Sequence, residues 1–158
     1  AEIKARFRFR YTREALYLTV EVEDQNHSCN YALPESWKGD SLQIAIQGRS
    51  SGKKRDGRFS EYLLALCHGK SGIHTVARQF PKQPGLEGSV LRKKSLTIYH
   101  LQIPAAVFGV TSLEPGQIHG FSLLINSNDG LIRDGFLAWG EGIGNGKFPG
   151  MYNQLKFE

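Results

Sequence analysis

Apolar and polar residues alternate along most of this chain. Ile3, Ala5, Phe7, Phe9 and Tyr11 interleave with Lys4, Arg6, Arg8 and Arg10, and Leu16, Leu18, Val20 and Val22 interleave with Tyr17, Thr19, Glu21 and Glu23. A period of two places the two sets on opposite faces of a strand. Thr12, Arg13 and Glu14 between the runs suit a hairpin connection. Periodicity lapses over residues 25–39, a long polar loop, and returns from Ser41 to Gln47 with Leu42, Ile44 and Ile46 facing in. Residues 48–58 carry no apolar side chain and read as a flexible basic loop. Strands are then expected at Ser60 to His68 and, after a Gly69-Lys70-Ser71-Gly72 turn, at Ile73 to Gln79, with a loop at 81–85. Ser95 to Ile103 is another strand, whose phase changes between Ile98 and Tyr99 as at a bulge. Pro104 to Phe108 suits one helical turn, and Glu114 to Gln117 a tight turn. Gly120 to Asn126, Ile132 to Trp139 and Gln154 to Phe157 complete the set, the first two around Asn128-Asp129-Gly130.

Eight to ten short strands and no amphipathic helix of ten residues predict an all-β fold. The expected architecture is an antiparallel β-sandwich, jelly-roll-like, or a related barrel. At 158 residues it forms a single domain, 1–158, able to bury a core without metal or disulfide support. No apolar run is long enough to cross a membrane as a helix. The N-terminal stretch AEIKARFRFR opens directly in a strand pattern and holds no apolar signal core, so the chain reads as a module excised from a larger one.

The net charge of +5 is unevenly placed. Residues 1–99 hold 17 basic and 10 acidic side chains, against 3 and 5 in residues 100–158. The excess lies in the Lys4, Arg6, Arg8, Arg10 ladder, the Lys53-Lys54-Arg55 loop and Arg92-Lys93-Lys94. Such a face is either simply solvated or meets an anionic partner. A nucleic acid is not expected, because basic residues and aromatics do not interleave along a groove.

Chemistry-bearing motifs are sparse. There is no GxSxG, no zinc spacing among the five histidines, and no complete calcium loop at Asn126, Asn128, Asp129 and Gly130. Cys67 and His68 are adjacent on a strand and point to opposite faces, so adjacency makes no nucleophile–base pair. Cys67 reads as a small core residue, and whether it pairs with Cys29 is open. The glycine-rich stretch 140–150 has Pro149 where a phosphate-binding helix would continue, so it reads as a shaped loop. The two tryptophans stand out. Trp37 directly precedes a strand and Trp139 ends one. Rim positions at strand ends suit an aromatic platform for the C–H face of a sugar, with core packing as the alternative.

Several segments together resemble carbohydrate-binding module family 9 and its DOMON-like relatives. Trp37-Lys38-Gly39-Asp40-Ser41-Leu42-Gln43-Ile44 is similar to the family's W-x-x-D-S-[VL]-E-[IL] stretch, and Ala15 to Asp24 to the strand before it. Gly120-Phe121-Ser122, Asn126 to Gly130, Ala138-Trp139-Gly140, Pro149 and Tyr152 to Leu155 follow in the family's order. The family's opening D-G-x-x-x-x-W segment is missing. The resemblance implies a sandwich that binds sugar noncatalytically, between Trp37 and Trp139, with hydroxyl contacts from Gln43, Glu61, Tyr62, Asn126 and Lys147. Gln43 replaces the family's Glu, keeping an acceptor and adding donors. Asp40 and Ser41 are structural in this reading, with Asp40 bonding backbone amides. The resemblance also implies structural calcium, an oligo- or polysaccharide partner (neutral or acidic), an attached glycan-active enzyme, and a secreted, cell-surface or periplasmic setting. Two other readings stand beside it. One is a glycan lyase or hydrolase using Tyr62 or His68 with Arg78, and the other an adaptor for a protein or polyanion on the basic first strand.

Overall fold

The computed structural model describes residues 2–48, 58–79 and 85–158. The Lys53-Lys54-Arg55 loop and most of the 81–85 loop lie outside them. Among the described residues there are ten strands: β1 (Lys4–Tyr11), β2 (Ala15–Glu23), β3 (Ser41–Gln47), β4 (Ser60–Cys67), β5 (Lys70–Ala77), β6 (Glu87–Lys93), β7 (Leu96–Pro104), β8 (Ile118–Asn128), β9 (Arg133–Trp139) and β10 (Asn153–Lys156). All pairs are antiparallel. One sheet runs β1-β2-β7-β6. The other runs β10-β8-β3-β4-β5, with β9 also pairing with β8.

The sandwich follows from the alternation. Leu16, Leu18 and Val20 of β2 and Tyr99, Leu101 and Ile103 of β7 meet Leu42, Ile44, Ile46, Leu64, Phe121, Leu123 and Ile125 from the other sheet in one buried core. Each such side chain removed from water contributes roughly 1.5–3 kcal/mol.

Four local expectations are corrected. β7 pairs in unbroken register on both sides, so the bulge at Ile98 and Tyr99 is not there. Thr97, Tyr99, Leu101 and Ile103 face in and Ile98 faces out. The register shifts fall instead at Glu61/Tyr62 and Ser127/Asn128. The β4–β5 turn is His68-Gly69, both at positive φ, the conformation tight hairpins need, so β5 starts three residues earlier than its apolar pattern. Residues 87–93, where no element is expected, form β6, in which Val90 is the one buried side chain. The polar loop at 25–39 contains a 3-10 helix, Leu33–Lys38.

Candidate functional site

The six-stranded sheet has a second face, turned away from the core. Odd-numbered β3 and β4 residues and even-numbered β8 residues share it: Ser41, Gln43 and Ala45, then Glu61 and Leu63, then Ser122, Leu124 and Asn126. The segment after β9 folds across part of this face, where Ile143 and Tyr152 pack on Ala45 and Leu124. Glycines shape that segment. Gly142 has φ +87°, and a Cβ there would strike the carbonyl of Phe148. Burial raises the Tyr152 hydroxyl above its ordinary range, and the Glu61 charge adds to the effect.

Beside this cover the face opens into a cavity of about 320 Å³, lined by Pro34, Trp37, Gln43, Glu61, Leu63, His74, Val76, Arg133, Ile143, Gly144 and Lys147. That is the lower end of the size range of small-ligand pockets. Its polar floor is one chain of hydrogen bonds. Arg133 Nε donates to Asn126 Oδ1 at 2.7 Å, and Asn126 Nδ2 donates to Gln43 Oε1 at 2.9 Å and to Ser41 Oγ at 3.0 Å. Gln43 Nε2 donates to Glu61 Oε1 at 3.0 Å, and Lys147 Nζ donates to the same oxygen at 2.6 Å. A cation therefore closes each end. Both Asn126 donors and its carbonyl are engaged. Its place is behind the cavity, holding Gln43 and Arg133, rather than on the cavity wall. Glu61 is fully buried, and its Oε2 has no hydrogen-bond donor.

Trp37 stands on the 3-10 helix with 42% of its surface exposed. That helix is fastened at several points. Cys29 and Cys67 form a disulfide, which ties the loop before it to the end of β4. The small-core reading of Cys67 is thus revised to a buried half-cystine. Asp40 accepts from the backbone amides of Ser28 and Asn128, joining the loop to β8 as expected. Burial pushes the Asp40 carboxyl up to about 6 despite those amides. Asn128 Nδ2 donates to the carbonyl of Lys38. Gly39 allows the close approach, since a Cβ there would sit 2.7 Å from the Ser28 carbonyl.

Two expected contacts lie elsewhere. Tyr62 is 1% exposed and sits in the core between the sheets, because Tyr62 pairs with the core residue Ile44. Trp139 pairs with Leu123 and packs against the core, within 5.3 Å of the Phe7 ring and 6.1 Å of the Phe9 ring. It cannot form the second wall opposite Trp37. Arg133, His74 and Phe136 were not foreseen. Phe136 pairs with Asn126 and so shares its face, with the Arg133 guanidinium 4.8 Å above its ring. It also borders a neighbouring hollow, with Phe148 and Met151, which shares Ile143 and Gly144 with the first.

In the incomplete calcium loop Asn128 Oδ1 accepts from Gly130 N and Asn126 Oδ1 from Arg133 Nε. At the end of β2, Asp24 Oδ1 accepts from Asn26 N. The Arg92 guanidinium occupies the carbonyls of Asp24 and Gln25. Among the described residues no three His, Cys, Asp or Glu side chains gather as a metal cluster. Of the two lyase pairings, Tyr62 feels the Arg78 charge but is buried in the core rather than set in a cleft, and His68 lies on the β4–β5 turn.

Residues 1–154 match the family described as carbohydrate family 9 binding domain-like. A comparison with curated proteins finds no match. Among solved structures, a family 9 carbohydrate-binding module from Caldicellulosiruptor kristjanssonii in complex with cellotriose superposes with a TM-score of 0.80 at 17% identity, covering 100% of this chain and 76% of that one. The same description in complex with glucose gives 0.79 at 17% identity, covering 100% and 78%. A Bacteroides uniformis protein gives 0.68 at 16% identity, covering 100% and 80%. These likenesses establish the fold.

Proposed function

The chain belongs to the carbohydrate family 9 binding domain-like family, and from that premise we propose that its cavity at Trp37 binds a sugar without catalysing a reaction. The observation that carries this is the exposed Trp37 ring beside the hydrogen-bonded chain of Gln43, Glu61, Arg133 and Lys147 around the same cavity. A sugar's C–H face covers the indole while its hydroxyls meet the accessible end of that chain. Gln43, Arg133 and Lys147 add donors whose directions are already set by the chain through Asn126, so little ordering is needed on binding. The second aromatic neighbour is Phe136 or Phe148 rather than Trp139. Neutral gluco-oligosaccharides are the first class to try, since the structural neighbours hold cellotriose and glucose. Affinity falls in the range of about micromolar to millimolar. In this role the module holds an attached glycan-active enzyme against its polysaccharide. A secreted, cell-surface or periplasmic setting agrees with the disulfide, which persists in oxidising compartments. No helix among the described residues is long and apolar enough to cross a membrane.

Calorimetry of the wild type and Trp37→Ala with cellotriose and glucose is the test. The expected result is a loss of about tenfold or more, 1.4 kcal/mol per decade, at an unchanged melting temperature. Equal affinity in the two proteins overturns the reading.

A further inference from the structure

The opposite sheet carries a larger hollow, about 540 Å³, lined by residues of β1, β2, β6 and β7. Two rows of side chains cross its floor. In strand order they are Arg10, Tyr17, Gln102 and Glu87, then Arg8, Thr19, His100 and Ser89. At about 4.8 Å between strands each row spans about 14 Å. The polar groups on this floor are not all paired within the protein. Tyr17 is 40% exposed, and Arg8 and Arg10 have no ion-pair or hydrogen-bond partner among the described residues. Arg6, one row further along, is by contrast paired with Glu21. Unpaired positive charge therefore collects at the β1 end of the hollow. Thr19 Oγ1 and His100 Nδ1 lie 3.3 Å apart in its middle. The β6 end presents a carboxylate, Glu87.

We propose that this hollow is a second glycan site, selective for an acidic saccharide whose carboxylate or sulfate meets Arg8 and Arg10. Tyr17 supplies a ring for one sugar face. Gln102, His100 and Thr19 supply donors and acceptors for hydroxyls. Glu87 accepts from a hydroxyl at the far end. The hydroxyl partners along both rows distinguish an acidic sugar from a polyanion such as DNA, of which only the charge would be read by Arg8 and Arg10. The site stands on the other sheet from Trp37 and does not depend on the function proposed there. It gives the basic ladder of β1 a ligand and would let one module hold two stretches of glycan.

The test uses oligogalacturonate as the acidic probe, cellotriose as the neutral one and duplex DNA as the polyanion control, each titrated at low salt. The double variant R8A/R10A, and separately Tyr17→Ala, should weaken oligogalacturonate binding by about tenfold or more. Both should leave cellotriose binding as in wild type, while Trp37→Ala should do the reverse. Amide shifts in labelled wild-type protein give a readout that needs no variant: oligogalacturonate should move Thr19, His100 and Gln102 and spare Lys147. The proposal falls if oligogalacturonate does not bind wild type, if its affinity survives R8A/R10A, if the shifts map to the Trp37 face, or if DNA competes equally at matched charge.

Discussion

The Cys29–Cys67 disulfide should contribute both to stability and to the binding geometry, and its removal separates the two. The half-cystines are 38 residues apart in sequence. Closing a loop of that length in the unfolded chain corresponds to about 4 kcal/mol of stabilisation in the chain-entropy treatment. A domain of this size has an unfolding entropy near 0.33 kcal/mol/K, so the loss should lower the melting temperature by about 12 °C. Cys29→Ala/Cys67→Ala suits the experiment, because both positions are buried and Ala brings no unpaired polar group. Thermal melts of wild type, of wild type with reductant, and of the double variant should show the two reduced forms melting together and below the oxidised one. Cellotriose titration at a temperature where all forms are folded should then show weaker binding without the disulfide, since the loop bearing Trp37 loses its tie to β4. Two results would refute this reasoning: titratable thiols in the purified oxidised protein, or a melting point unchanged by reductant.

Trp139→Ala should cost about 2–4 kcal/mol in urea unfolding, because it opens a gap beside Phe7, Phe9 and Phe121, yet leave cellotriose affinity intact. The Asp40 carboxyl, raised to about 6 by burial, binds its proton more tightly folded than unfolded. Its contribution is therefore fully present below the unfolded value near 3.8 and is lost as pH rises through about 6. Unfolding free energies from pH 4 to pH 7 should fall on the order of 2 kcal/mol more steeply in wild type than in Asp40→Asn. EDTA against excess calcium should leave both melting point and cellotriose affinity unchanged, given donors already engaged within the protein; a calcium-dependent rise in the melting point would show a site elsewhere. Asn126→Ala, which frees Gln43 and Arg133 from their anchor, should weaken cellotriose binding nearly as much as loss of a direct contact, detectable by calorimetry.

Parity decides which parts of this molecule can be read from its residues. β1 and β2 alternate cleanly, because one of their faces is wet, and their pairing and the basic ladder follow directly. β3 and β4 are both buried on two faces, but only β3 keeps an alternation, and the apolar run of β4 carries no phase. Tyr62 and Glu61 then look equally eligible for a site, and only the pairing of Tyr62 with Ile44 separates them. β9 has the same ambiguity: Phe136 and Leu137 fall on opposite faces, so either phase has an apolar residue to offer the core. Trp139 follows Leu137 inward through its partner Leu123, and Phe136 follows Asn126 outward. The second burial of β3 and β4 is non-local, since it comes from Ile143 and Tyr152 some eighty to one hundred residues away in the glycine-rich segment. The disulfide is non-local in the same sense. Where neighbours along the chain supply the environment, residue type and spacing are enough, as in the β1–β2 hairpin. Where the other face is made by a distant loop, the same apolar letters suit core and cavity alike. The polar chain from Arg133 to Lys147 survives on that covered face because its one carboxylate accepts from Lys147 and Gln43, while Asn126 at the other end accepts from Arg133.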